Sequence, residues 1–209
     1  MNQILFCRKN NKLKEKYLKL YKLLFISSSV ILLFFSFSLF VKLYKNTQNE
    51  LLSKKLNSVY SISTLYSQNS IVENQVQSSV PFVIGIIKIE KINVNYSILS
   101  NSNNDLLDIS VCRFAGPLPN EIGNLCIAGH NYVDYKFFSR LNELNINDTI
   151  KIFDLKGNCM EYEIFNKYEI RPIDTSCTNQ NTNNQRIVTL VTCNNVNGKR
   201  LIIQAKESI

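Results

Sequence analysis

Residues 23–41, LLFISSSVILLFFSFSLFV, form an uncharged apolar run of 19 residues, close to the roughly 20 that a helix needs to cross a hydrocarbon core of about 30 Å. No other stretch constrains this chain as strongly. Arg8, Lys9, Lys12, Lys14, Lys16, Lys19 and Lys22 precede the run, whereas only Lys42 and Lys45 closely follow it. The positive-inside bias therefore predicts a single-pass cell-membrane protein with residues 1–22 cytoplasmic, 23–41 spanning, and the remainder outside. A cleaved signal peptide is the competing reading, because Ser36 and Ser38 make a weak small-x-small site. Leu39, Phe40 and Val41 carry the apolar run past that site and favour a retained anchor. The net charge of +8 does not predict a nucleic-acid partner, since much of the excess sits in the first 22 residues.

Residues 42–80 are rich in Ser, Asn and Gln, with Leu52, Leu56, Val59 and Tyr66 at helical spacing. They read as an extracellular stalk with a short amphipathic helix that runs into a linker by about residue 70; a helix packed on the following domain is the alternative. From Pro81 to 209 the pattern becomes short β-branched and aromatic runs broken by Asn, Gly, Asp and Pro, the pattern of an all-β domain. Strands are predicted over 82–89, 93–99, 124–128, 149–155, 160–170, 187–193 and 201–206, with helices or turns near 105–111 and 137–141. A barrel or sandwich of roughly seven or eight strands follows.

There are six cysteines. Cys7 falls on the cytoplasmic side, which leaves Cys112, Cys126, Cys159, Cys177 and Cys193, an odd number, so at least one is free or paired between chains. There is no CxxC pair and no calcium-loop spacing around Glu121, Asp134 or Glu143, so no metal or other cofactor is expected.

Two features carry possible chemistry. The one histidine, His130, ends the apolar segment Leu125-Cys-Ile-Ala-Gly-His130, where a loop begins and where rigid scaffolds present reactive groups. The run Ile187-Val-Thr-Leu-Val-Thr-Cys193 is followed by Asn-Asn-Val-Asn-Gly-Lys and then Arg200-Leu-Ile-Ile-Gln204, the pattern of a hairpin. Pairing Cys193 with Arg200 places Thr189, Val191 and Cys193 on one face with Arg200, Ile202 and Gln204. A neighbouring cation favours thiolate, and an Arg fork can bind an oxyanion. Arg186 lies roughly 20 Å away along extended strand and cannot serve. A buried cysteine beside an ordinary surface arginine is the bland alternative for this pair. Cys126 reads as a small core residue.

These residues together resemble the sortase family: Gly123-Asn-Leu-Cys-Ile-Ala-Gly-His130, Phe-Phe-Ser-Arg-Leu at 137–141, Thr-Leu-Val-Thr-Cys at 189–193, and Arg200 opening the last strand. Within the family the chain looks closest to class D, with class A as the near alternative. The absence of a second apolar segment and of an Asp-Pro-aromatic lid argues against the pilin-polymerising class C. The resemblance implies a closed eight-stranded β-barrel with one or two short helices. It also implies cleavage of an LPxTG-like sorting signal of surface proteins between Thr and Gly. Cys193 would form a thioester, His130 would protonate the leaving amine, and Arg200 would hold the oxyanion. Val191 and Thr192 would border the substrate, and a peptidoglycan-precursor amine would resolve the acyl-enzyme. A pilin polymerase with a Lys acceptor and a non-catalytic membrane-tethered scaffold are the competing classes. The extra cysteines stand outside the family motif, and a Cys126–Cys193 disulfide is conceivable only if Cys126 faces the site.

Overall fold

A computed structural model describes residues 2–66 and 82–208, with side chains over 17–58 and 82–208. It divides into two units, Met1–Gln48 and Asn49–Ile209.

In the first unit the chain is continuous helix, the N-terminal part of α1 (Asn2–Tyr66). Residues 17–48 are all exposed, phenylalanines and leucines included. α1 contains the one segment among the described residues that is long and apolar enough to cross a membrane.

The second unit is a closed barrel of eight strands: β1 (Val83–Ile89), β2 (Val94–Leu99), β3 (Val111–Ala115), β4 (Gly123–Ala128), β5 (Thr149–Asp154), β6 (Cys159–Ile170), β7 (Arg186–Cys193) and β8 (Arg200–Glu207). Around the barrel the order is β1-β2-β3-β4-β7-β8-β6-β5. The pairs β2–β3 and β4–β7 are parallel and the other six antiparallel. Period-two alternation builds the interior: Ile150 and Ile152, Tyr162 and Ile164, Val188 and Leu190, Leu201, Ile203 and Ala205 all bury one face of their strands.

Seven strands lie where the residue pattern predicts them, within one or two residues. The eighth, β3, has no counterpart among the predicted strands; only its first residue, Val111, falls in the segment 105–111 read as a helix or turn. The helix, α2, is a single turn, Asn104–Leu107, capped by Asn103. Val111 and Cys112 enter the barrel wall directly after it, fully buried, as the parallel partners of Ile98 and Leu99. Of the two readings open for 137–141, helix or turn, the structure has a turn, leading into a 3-10 helix at Leu141–Glu143.

The part of α1 that belongs to the second unit touches the barrel wall. Asn57 Oδ1 accepts from the Ser97 backbone N–H (2.8 Å) and hydroxyl (2.6 Å), and Asn57 Nδ2 donates to the Asn95 carbonyl (2.9 Å). The contact is polar, and Ser53 beside it is buried; Leu52, one of the apolar residues at helical spacing, stays exposed. The linker expected near 70–80 lies outside the described residues.

Candidate active site

The β7–β8 hairpin pairs residue by residue, from Ile187 with Lys206 to Cys193 with Arg200. Val188, Leu190, Leu201 and Ile203 point into the barrel core. The alternate residues therefore face outward, and Cys193 and Arg200 stand at the hairpin's end on that outer face. On the other side of β7 runs β4, parallel to it, with Cys126 opposite Thr189 and Ala128 opposite Val191. Two residues further, the same register brings His130 level with Cys193. With neighbouring strands about 4.8 Å apart, the backbone of Cys193 is flanked by His130 on one side and Arg200 on the other. Cys193 is exposed, while His130 and Arg200 are half-buried.

Several local features hold this edge. Gly129 donates its N–H to the Val191 carbonyl (3.1 Å). A Cβ there would stand 2.7 Å from Phe138 Cδ2 and 3.1 Å from Val111 Cγ1, so only glycine lets β4 settle on the core beneath His130. The Thr192 hydroxyl is buried and donates to the Gly129 carbonyl (2.8 Å). Asn131, immediately after His130, donates from Nδ2 to the Cys193 carbonyl (2.7 Å), and Asn195 returns a bond to the Asn131 carbonyl (2.9 Å). The histidine loop and the cysteine turn are thus cross-tied. The turn itself closes through Asn194 N–H to the Lys199 carbonyl (2.7 Å), with Gly198 in the left-handed region at φ 69°. Glu169 at the end of β6 accepts from the side chains of both Asn194 and Asn197, which hold its carboxyl below the usual range.

Beside Cys193 the outer face is apolar. Val191, Ile202, Ile170 and Cys177 form a second buried cluster against which Tyr168 packs. The β6–β7 connection lies over it, pinned by Asn124, whose Nδ2 donates to the carbonyls of Cys177 (2.9 Å) and Asn179 (3.1 Å) while its Oδ1 accepts from Thr189 (2.7 Å).

All five cysteines of the barrel unit are free. Cys126 is on the outer face with Cys193 but four residues, about 13 Å, further down the sheet. Its thiol points at the Asn124 and Cys177 carbonyls. Burial pushes the Cys112 and Cys126 thiols up to about 12, so neither is a thiolate at neutral pH. Arg186 stands at the far end of β7, bonded to the Asn120 carbonyl and to Glu207 (both near 2.9 Å or less).

Three residues at the site escaped sequence reading: Asn131, Tyr132 and Asp108. Tyr132 donates its hydroxyl to Asp108 Oδ1 (2.5 Å), and the same oxygen lies 3.7 Å from His130 Nε2. Asn131 could have been suspected from its adjacency to the histidine. Asp108 had no signal, because 22 residues separate it from His130.

The fold has parallels. Residues 87–208 match the sortase domain family model. Among solved structures the chain is similar to the sortase D5 transpeptidase of Clostridium perfringens, at 29% identity over 76% of this chain and 96% of that one, with a TM-score of 0.59. It shares its fold with sortase A from Corynebacterium diphtheriae (20% identity, 81% and 93% coverage, TM-score 0.57) and sortase A of Listeria monocytogenes (22%, 61% and 88%, 0.56). No match was found among curated proteins. With a matching domain model over more than half its length, a closed eight-stranded barrel and cysteine, histidine and arginine at adjoining strand ends, the chain belongs to the sortase family.

Proposed function

We propose that the protein is a membrane-anchored, class D-type sortase that cuts an LPxTG-like sorting signal between Thr and Gly and joins the released protein to a peptidoglycan-precursor amine. The carrying observation is the register β4-β7-β8, which sets Cys193 between His130 and Arg200 on one exposed face. The Cys193 sulfur attacks the Thr carbonyl carbon. The Arg200 fork holds the oxyanion, and His130 gives a proton to the Gly nitrogen as the C–N bond breaks. The resulting thioester is then attacked by the acceptor amine, which restores the thiol. Such a division needs no cofactor.

Thr192 contributes by tying β7 to β4 under the nucleophile, and Val191 supports the same edge from within the buried cluster beneath the β6–β7 connection. The lysine-rich segment before the apolar run supports a barrel outside the cell, where exported proteins and lipid-linked precursors meet. The test is incubation of the full chain in detergent with a library of LPxTG-like peptides and an amine acceptor, read by mass spectrometry. Peptides ending at Thr and joined to the amine are expected. Recovery of only intact peptides across the library would overturn the proposal.

A further inference from the structure

A lone imidazole at the start of a loop needs a partner to fix which nitrogen it presents. We propose that Asp108 is a positioning residue for His130: its carboxylate, oriented by the Tyr132 hydroxyl, receives the imidazole Nε2–H and leaves Nδ1 to serve the reacting amine. The part played in the reaction rests on the transpeptidase reading; the contact itself does not.

Asp108 is delivered by a closed piece of backbone. It directly follows α2, with its N–H on the Asn104 carbonyl (3.1 Å), and the next two N–H groups, those of Ile109 and Ser110, both bond the Leu106 carbonyl (3.0 Å). The Ser110 hydroxyl donates to the Ser97 carbonyl (2.5 Å), which ties this turn to β2. The carboxylate thereby arrives beside the histidine from a different part of the barrel wall. Tyr132 fixes its orientation. The tyrosine ring lies 5.8 Å from the Phe137 ring, which lies 5.0 Å from that of Tyr96, and Phe137 is buried. Burial, then the hydrogen bond to Asp108, raise the Tyr132 pKa well above the usual phenol range, so the hydroxyl remains a donor. On its other side the imidazole meets the Tyr132 ring, with centroids 5.1 Å apart.

Both groups at Oδ1 are donors, Tyr132 O–H and His130 Nε2–H, and a carboxylate is an acceptor for both at once. The His130 and Asp108 side chains are 34% and 32% exposed, open enough for a substrate to reach and close. The present 3.7 Å lies just beyond hydrogen-bond range, and catalytic contacts commonly tighten when substrate binds. The other charged groups nearby are Asp134, paired with Lys136 (3.1 Å), and Arg200 beyond Cys193. An Nε2–H committed to Asp108 makes Nδ1 the nitrogen that can pass a proton to the departing glycine nitrogen.

Two measurements on the full chain in detergent decide this. The first compares Asp108→Asn on an LPxTG-type peptide and on the matching depsipeptide, whose ester leaving group has less need of protonation. General acid catalysis contributes about 100- to 10,000-fold. Loss of its orientation should lower kcat on the amide by roughly 10- to 100-fold and on the ester by no more than about threefold, with part of the amide rate restored in Asp108→Glu. Equal losses on both substrates would mean a merely structural role and would overturn the proposal. The second uses the single histidine: nitrogen NMR of 15N-histidine-labelled protein, with the ring neutral, reports His130 alone. The Nε2–H tautomer should dominate, and Asp108→Ala should raise the Nδ1–H fraction several-fold; an unchanged ratio would overturn the proposal. If wild type cleaved neither substrate, the transpeptidase reading would fall, and the tautomer ratio would still decide the contact.

Discussion

Gly129→Ala places one methyl group under the histidine. Gly129 is not among the residues with positive φ, so the effect lies in the collision and not in backbone strain. The new Cβ would stand 2.7 Å from Phe138 Cδ2 and 2.8 Å from its Cγ, against the 3.5–4.0 Å of ordinary carbon contact. Something must retreat by about 0.7–1.3 Å. Phe138 is fully buried, its N–H is bonded to the His130 carbonyl, and Val111 closes the other side at 3.1 Å. Overpacking of this kind costs about 1–3 kcal/mol, a fall in Tm of roughly 3–10 °C for a barrel unit of this size. If β4 yields instead of the ring, His130 moves by a similar distance, and a 1 Å misplacement at an active site costs about 100-fold in rate. Calorimetry and peptide-cleavage kinetics on the same preparation separate the two routes. A variant with wild-type Tm and wild-type kcat/KM would refute the packing account of how His130 is placed.

Other substitutions probe separate links. Arg200→Lys keeps the charge but loses the planar fork; a lost oxyanion donor costs about 3–4 kcal/mol, so kcat should fall by roughly 100- to 1000-fold with an unchanged melting curve, as read by steady-state kinetics. Burial alone would raise the Asp148 carboxyl, but the Lys91 ammonium (2.7 Å) and the Asn145 N–H (2.6 Å) outweigh it and lower its pKa. A depressed carboxylate stabilises above its unfolded pKa of about 3.9 and loses that contribution as pH falls through the folded value. Asp148→Asn should therefore cost up to about 1 kcal/mol at pH 7 and almost nothing near pH 2, measured by denaturant titration at both. Protease added to intact protoplasts should remove the barrel, as the lysine-rich N-terminal flank predicts; a protected barrel would reverse the topology.

Strands with strict alternation were legible in the sequence, because a segment such as Ile150-Lys151-Ile152 can bury a face in only one register. The β7–β8 hairpin was legible from two apolar runs separated by a short Asn/Gly-rich loop, and with it the pairing of Cys193 and Arg200. β3 was not: its five residues start directly after the turn that follows α2, include Arg113 and end before Gly116-Pro117, so no period of two is completed. The parallel pairing of β4 with β7 was hidden by the long connection between them. That pairing alone brings His130 level with Cys193, so the meeting of these two residues could be expected only from family resemblance. A helix packed on the following domain was an open reading, but its polar tie from Asn57 to Ser97 was not legible, since apolar spacing carries no signal for a hydrogen-bonded contact.

The most direct measurement is to trap the acyl-enzyme and locate it. The full chain is exposed to an LPxTG-type peptide without acceptor amine, quenched in acid, digested and examined by mass spectrometry, alongside Cys193→Ala and His130→Ala. An acyl group truncated at Thr should appear on Cys193 of the wild-type protein and be absent from Cys193→Ala. In His130→Ala, Cys193 should still be alkylated by a thiol reagent while peptide cleavage collapses, because the thiol remains and the proton donor is gone. Cleavage by Cys193→Ala, or an acyl group mapped to Cys112, Cys126, Cys159 or Cys177, would contradict the assignment of the site.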